Sequence, residues 1–226
     1  MSAEPRVKRT PQTMILATRS AGKLRELLPL VAVRGWALHT LNDAGLVDSA
    51  DEDALEVFDT FEANALAKAE YFHARRPDCV VLADDSGLEV HALHGAPGVR
   101  SKRWSGRSDL TGDALDAANN AHLQALLTQV GATSPSTRRA RYVCAAAVIG
   151  PGMRAVCRGT TDGVVLSSPR GDGGFGYDPF FLSDDLGMTF AEASREAKSR
   201  VSHRGRAFAR LLSMVAEDGQ LGVAGG

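Results

Sequence analysis

The sequence predicts a mixed α/β domain whose sheet is in part antiparallel. Two features carry that prediction. Apolar runs of strand length alternate with stretches in which large apolar residues recur at helical spacing. Two long runs, "ARYVCAAAVIG" and "RAVCRGTTDGVVL", are separated only by a turn at 150–152, which makes them a hairpin. Because that hairpin is antiparallel, a simple doubly wound sheet is not expected. The chain of 226 residues is long enough to bury a substantial core. Residues 1–12 are polar and 218–226 are Gly-rich, so both are expected to be flexible ends around one domain at 13–217.

In order, "TMILAT" reads as a strand and "AGKLRELLPLV" as a helix, with Leu24, Leu27, Leu28 and Val31 on one face. "WALHTL" reads as a second strand, and residues 42–59, rich in Asp, Glu and Ala, as a loop. A helix is predicted from Thr60, capped by Asp59 or Thr60 and closed by Pro77. The strand at Val80 follows. "HGAPGVRSKRWSG" is punctuated by Gly and Pro and reads as a loop before a helix from Asp113 to Val130. After the hairpin comes the glycine-dense "PRGDGGFGYDPFFL", a loop running into a short strand. Two helical pieces split near Ser202 close the fold, the second with Phe208, Leu211, Leu212 and Val215 on one face.

Bulk properties narrow the function. A net charge of −1 with balanced acids and bases argues against a nucleic-acid surface and favours small partners. No apolar run approaches the ~18 residues of a membrane span. The start, "MSAEPRVKRTPQ", has no apolar signal-peptide region, so a cytoplasmic protein is expected. Cys79, Cys144 and Cys157 are scattered without CxxC spacing, which disfavours a disulfide framework or zinc site.

Several residues stand out chemically. "ATRSAGK" places two hydroxyls, a glycine and Lys23 at a helix start, where free N–H groups and the helix dipole favour an anion such as phosphate. It lacks P-loop spacing, and an ordinary turn with a solvated lysine stands as the alternative. At about 100° per residue, Lys68 falls inside the apolar stripe of Phe61, Ala65, Ala69 and Phe72, with Asn64 on its edge. Either Lys68 snorkels out, or it faces a polar cleft that could hold a phosphate chain.

Val80, Val81 and Leu82 read as a buried strand running into Asp84 and Asp85, and unpaired carboxylates there are costly unless a cation or a solvated cleft meets them. "DDSG", with Gly87, predicts a sharp turn at the strand's end that releases both from the pleat. Such carboxylates suit Mg²⁺, which takes oxygen ligands and bridges to phosphates; an Asx-turn is the alternative. "GGFGYDP" offers Phe175 and Tyr177 for stacking and Asp178 as an acceptor. In "SHRG", Ser202 is a predicted N-cap. His203 and Arg204 are then donors at a helix's positive end, which calls for a nearby acceptor or ligand.

Taken together, "ILATRSAGKLREL", "TFEANALAKA", "LADDSGLEV" with "GAPGVRSKRWSG", "GGFGYDPFF" and "EAKSRVSHRG" resemble, in order, the blocks of the Ham1-type inosine triphosphate pyrophosphatases. The resemblance spans residues 14–212. It implies an elongated, two-lobed α/β fold with a long mixed sheet and a central nucleotide cleft. It also implies a homodimer that uses Mg²⁺ to hydrolyse ITP, dITP and XTP to the monophosphate and pyrophosphate. By motif, Thr18, Arg19, Ser20, Ala21, Gly22 and Lys23 match the phosphate loop, and Lys68 a phosphate-facing lysine. Asp85 matches the acid/base and metal-binding aspartate, with Ser86 beside the substrate, and Glu56 matches the second metal ligand. Phe175, Gly176, Tyr177, Asp178, Lys198, His203 and Arg204 match residues around the keto purine.

Two departures stand against the family pattern: Ser20 replaces an asparagine, and Phe58 replaces the glycine of E-x-G-x-T-F. A non-catalytic nucleotide-binding protein and a different nucleotide phosphohydrolase are the rival readings. The missing Walker A spacing disfavours a kinase.

Overall fold

The computed structural model describes residues 13–33 and 37–221, built around a six-stranded sheet in the order β2-β1-β3-β4-β5-β6. β1 (Thr13–Leu16) lies between β2 (Ala37–Thr40) and β3 (Val80–Val90) and is parallel to both. β4 (Arg139–Gly150) and β5 (Met153–Val165) form the predicted hairpin. β4 runs antiparallel to β3, and β6 (Phe181–Ser183) completes the sheet against β5. Five α-helices, α1 (Ala21–Val33), α2 (Phe61–Arg75), α3 (Gly112–Gln129), α4 (Arg195–Val201) and α5 (His203–Leu221), pack around it. Of the expected flexible ends, residues 1–12 and 222–226 lie outside the described residues, whereas 218–221 continue α5 and are helical.

Strand alternation sends successive side chains to opposite faces, and each face has its own cover. Met14, Leu16, Leu82, Cys144 and Ala146 meet Leu27 and Val31 of α1 and Phe208, Leu211 and Leu212 of α5. Ile15, Val81, Ala83, Ala145 and Ala147 meet Phe61, Ala65, Ala69 and Phe72 of α2. A third core, with Leu88, Val90, Tyr142, Phe181 and Phe190 against Leu123 and Leu127 of α3, fills the other end of the long strands. The two-lobed character expected of the chain follows from this separation of cores along one sheet.

Local chemistry sets the boundaries. Of the two candidate caps for α2, Thr60 acts, its Oγ1 accepting from the Ala63 N–H at 3.2 Å. Ser202 caps α5 as predicted, accepting from the Gly205 N–H at 3.0 Å. Three expectations need correction. Leu28 is 45% exposed, because α1 packs on Leu24, Leu27 and Val31 and turns Leu28 to solvent. The 42–59 loop contains a 3-10 turn at Ala50–Leu55, started by Ser49.

The third concerns the aspartates: β3 does not end at "DDSG" but continues through it to Val90. Asp84 and Asp85 pair with Ala146 and Ala145 of β4, whose small side chains leave room beside the charged groups. Gly87 marks a close approach rather than a turn. A Cβ built there would lie 2.3 Å from the Gly98 carbonyl oxygen, so only glycine lets the 98–103 segment cross the strand.

Candidate active site

Because Asp84 and Asp85 are consecutive on an unbroken strand, they face opposite ways and acquire different partners. Asp84, fully buried, meets Lys23 Nζ at 3.1 Å and Arg204 Nε at 3.2 Å. Burial pushes its carboxyl up, but Lys23, Arg204 and Lys68 outweigh that and hold it well below the usual range. Asp84 is therefore a permanent anion that organises cations. Asp85 accepts from Asn64 Nδ2 at 2.9 Å and from the Ser86 N–H at 3.0 Å. Burial raises its carboxyl, Glu56 adds to the rise, and Lys68 and Lys23 only partly oppose it. A carboxylate poised to take up a proton is the result.

Lys68 occupies the polar position predicted inside the α2 stripe. It is 8% exposed and does not snorkel out to solvent. Its Nζ donates to Glu56 Oε1 at 2.6 Å and to the backbone oxygen of Asp84, which Lys23 Nζ also reaches at 3.3 Å. Two lysines from different helices thus converge on one carbonyl of β3. Burial alone would raise the Glu56 carboxyl, but Lys68 and Lys23 hold it at about 2. Asn64 also accepts from the Phe58 N–H at 2.9 Å and donates to the Phe58 carbonyl, tying the Glu56-bearing segment to Asp85. Phe58 is half-exposed, and among the described residues only His94 is a non-glycine with positive φ. The glycine missing at position 58 is therefore not required by the backbone here.

On the other side of Arg204 opens a cavity of about 560 Å³ lined by Gly22, Glu26, Phe175, Phe190, Lys198 and Arg204 among others. Arg204 joins the two regions. It lines the cavity, binds Asp84 and donates to Ser86 Oγ at 2.8 Å. Lys198 Nζ lies 2.6 Å from both Glu26 Oε1 and Asp178 Oδ2, and Glu26 also pairs with Arg204. The Phe175 ring packs on the α1 turn so closely that a Cβ at Gly22 would meet it at 2.8 Å. Lys198 Nζ and Arg204 Cζ stand 5.3 and 5.7 Å from its ring centre. The cavity thus combines the aromatic rings of Phe175 and Phe190 with the cationic Lys198 and Arg204, suited to a planar acceptor-bearing ring.

Some predicted residues occupy other positions than their expected roles suggest. Tyr177 is buried in the third core and donates to the Ser101 carbonyl at 2.8 Å, so its ring supports the loop and does not face the cavity. Asp178 is buried and engaged by Lys198, the Phe175 N–H and the Tyr142 hydroxyl, which makes it a brace for Lys198. His203 is buried and stacks on Tyr142 with ring centres 4.5 Å apart. Burial and then Arg204 push it well below its usual value, so it is neutral rather than a cationic donor. Arg19 binds Glu52, Asn42 and the Leu46 carbonyl. Thr18 and Ser20 hold the turn, their hydroxyls accepting from the Ser20 and Lys23 N–H groups. Ala21 opens α1, and the Gly176 peptide is held by Asp116 and Asn120.

Glu26, Asp116, Asn119 and Asn120 escaped the sequence reading. The signal for Asn120 was available: it lies three and seven residues before Leu123 and Leu127, on the buried stripe of α3. Glu26 carries no such mark.

The residues at Lys68 also bear on a metal. Glu56 and Asp85 are two carboxylates that repel each other across a lysine, and Mg²⁺ needs only one or two carboxylates when substrate phosphates and waters supply the rest. Among the described residues no cluster of three or more His, Cys, Asp or Glu side chains could hold a metal by itself. The donor set therefore fits a cation shared with a phosphorylated substrate, and not a protein-only metal site.

Comparison with known proteins accords with this geometry. Residues 14–214 match the sequence profile of the Ham1 family. The chain is 43% identical over 205 residues to a dITP/XTP pyrophosphatase of Frankia alni, covering 90% of this chain and 97% of that one. It is 44% identical over 200 residues to one from Thermus thermophilus, with 88% and 89% covered. The fold superposes on a HAM1 protein from Coxiella burnetii with a TM-score of 0.75 and 31% identity, over 91% of this chain and 99% of that one. A nucleoside-triphosphatase / dITP/XTP pyrophosphatase from Mycobacterium abscessus gives a TM-score of 0.66 and 40% identity, over 89% and 99%. The protein belongs to the Ham1 family.

Proposed function

We propose that the protein hydrolyses non-standard purine nucleoside triphosphates (ITP, dITP and XTP) to the monophosphate and pyrophosphate, clearing deaminated purines from the nucleotide pool. The observation that carries this reading is the convergence of Lys23 and Lys68 on the Asp84 carbonyl, next to Asp85 and one arginine away from the cavity lined by Phe175. A nucleotide fits that layout with its phosphates over β3 and its base against Phe175.

Lys23 and Lys68 neutralise the phosphate chain, and the N–H groups at the start of α1 receive its oxygens. Asp85 takes a proton from water as the water oxygen bonds to the α-phosphorus. The bond from that phosphorus to the bridging oxygen then breaks, and pyrophosphate leaves with the electron pair. Glu56 and Asp85 would hold Mg²⁺, which when bound adds charge neutralisation to the phosphates. At the other end, Lys198 and Arg204 donate toward a 6-keto oxygen. Adenine presents an amino group there, so a donor would face the cationic donors Lys198 and Arg204 in place of an acceptor, a mismatch that disfavours it.

The family resemblance supports a homodimer acting on free nucleotides in the cytoplasm. Among the described residues no helix is long and apolar enough to cross a membrane.

Purified protein assayed with ITP, dITP, XTP, GTP and ATP in parallel tests the reading. The three non-standard triphosphates should exceed ATP in kcat/KM by at least about 100-fold. EDTA should stop turnover and Mg²⁺ restore it. A preference for ATP, or turnover indifferent to EDTA, would overturn the assignment.

A further inference from the structure

The loop that carries Phe175 is held from outside the cavity by a helix to which no role has been assigned. Asp116 Oδ2 accepts from the Gly176 N–H at 2.7 Å, and Asn120 Nδ2 donates to the Gly176 carbonyl at 2.9 Å. Asp116 and Asn120 are one turn apart on α3, so a single helix face grips both ends of that residue's backbone. The same Asn120 amide donates to the Asp116 carbonyl at 2.9 Å, which fixes its orientation, and Asn120 is 7% exposed. Next along the helix, Asn119 accepts from the Ser105 N–H at 2.8 Å and donates to the Lys102 carbonyl at 3.1 Å. Tyr177, one residue past the gripped glycine, donates to the Ser101 carbonyl.

These contacts serve a ring with a tight location. Phe175 lies within contact of Gly22 on one side and faces Lys198 and Arg204 on the other. Its own N–H is bound to Asp178, which in turn holds Lys198. Releasing Gly176 therefore moves two cavity walls together, the aromatic face and the cation braced by Asp178.

We propose that Asp116 and Asn120 are positioning residues for the base pocket: by gripping the Gly176 peptide they set Phe175 and the Asp178–Lys198 pair at the spacing that accepts a purine ring. The proposal rests on the functional reading above for what the cavity holds, but the clamp itself is a statement about the loop. The side chains of Asp116 and Asn120 bond to backbone groups of Gly176 and Asp116 and not to Lys23, Lys68 or Asp85, so their loss acts on base recognition and not on the chemical step.

Two measurements on Asp116→Ala and Asp116→Asn test it, the Asn variant retaining an oxygen that can accept from Gly176. By hydrogen exchange, the segment 173–178 should exchange at least about tenfold faster in the Ala variant and near the wild-type rate in the Asn variant, with β4 unchanged in both. With ITP, the Ala variant should show KM raised on the order of tenfold with kcat within about twofold, and the Asn variant should recover most of the wild-type KM. Unchanged exchange at 173–178 would overturn the clamp whatever the activity. A loss confined to kcat, or an Asn variant as defective as the Ala variant, would overturn the positioning role. Failure of the wild-type protein to turn over ITP would instead refute the functional reading, while exchange would still decide the clamp.

Discussion

Asp85→Asn should lower kcat on ITP by at least about 10³-fold while leaving the folded structure intact. The substitution keeps size and shape, and it retains one oxygen to accept from the Ser86 N–H or the Asn64 amide. It removes the carboxylate that β3 presents on the α2 face beside Asn64. Stability should hold or rise. Burial and Glu56 raise the Asp85 carboxyl, so the ionised form is disfavoured in the folded state. A group with a raised folded-state pKa contributes stability below its unfolded value and loses it as pH rises through the folded one. At neutral pH that contribution is absent or unfavourable, and a neutral amide avoids it. The same shift shapes the wild-type pH profile: activity should fall on acidification at a pH above the ordinary aspartate range, as Asp85 protonates. Steady-state rates across pH together with urea unfolding of both proteins check these outcomes. Near-normal turnover in the variant would reject Asp85 as the base.

Lys68→Met should damage both stability and activity. Methionine fills the α2 stripe beside Phe61, Ala65 and Ala69, so packing alone changes little. The loss is electrostatic. Glu56 and the Asp84 carbonyl lose a donor, and Asp85 loses the cation that most opposes the rise of its carboxyl. Removing one partner of a buried pair costs about 3–5 kcal/mol. The lower end applies because the Glu56 side chain retains 26% exposure. The pH dependence has a definite sign. Glu56 is held at about 2, below its ordinary 4.5, so its contribution is full above 4.5 and disappears as pH falls toward 2. The stability gap between wild type and variant should therefore be widest near neutrality and close on acidification. kcat/KM for ITP should fall at least about 100-fold. A gap that widens at low pH would contradict the pairing.

Much of this site was visible in the sequence because its residues break local rules. Lys68 sits seven residues after Phe61 on a face that is apolar apart from Asn64, a spacing that a snorkelling side chain or a polar cleft would explain, and its burial decides for the latter. Asp84 and Asp85 are conspicuous for the same reason, yet their setting is an unbroken strand and not the turn that "DDSG" suggests. Charge in a core strand looks like a strand end, and what permits the strand to continue is Ala145 and Ala146 on β4, a pairing that no local pattern reveals. Tyr177 and His203 show the limit of motif chemistry. Both are polar aromatics in a nucleotide-binding block, but each spends its ring on the third core or on Tyr142. Glu26 was invisible because its partners lie 172 and 178 residues away on α4 and α5. Asp116 meets Gly176 across 60 residues, and α3 reads locally as an ordinary amphipathic helix.

The central claim is that the water oriented by Asp85 attacks the α-phosphorus of a nucleotide whose phosphates lie over β3. Hydrolysis of ITP in ¹⁸O-labelled water tests it most directly, since the label marks the phosphorus attacked. The site described here predicts label in inosine monophosphate and unlabelled pyrophosphate as the other product. Label in pyrophosphate, or release of orthophosphate in its place, would contradict it.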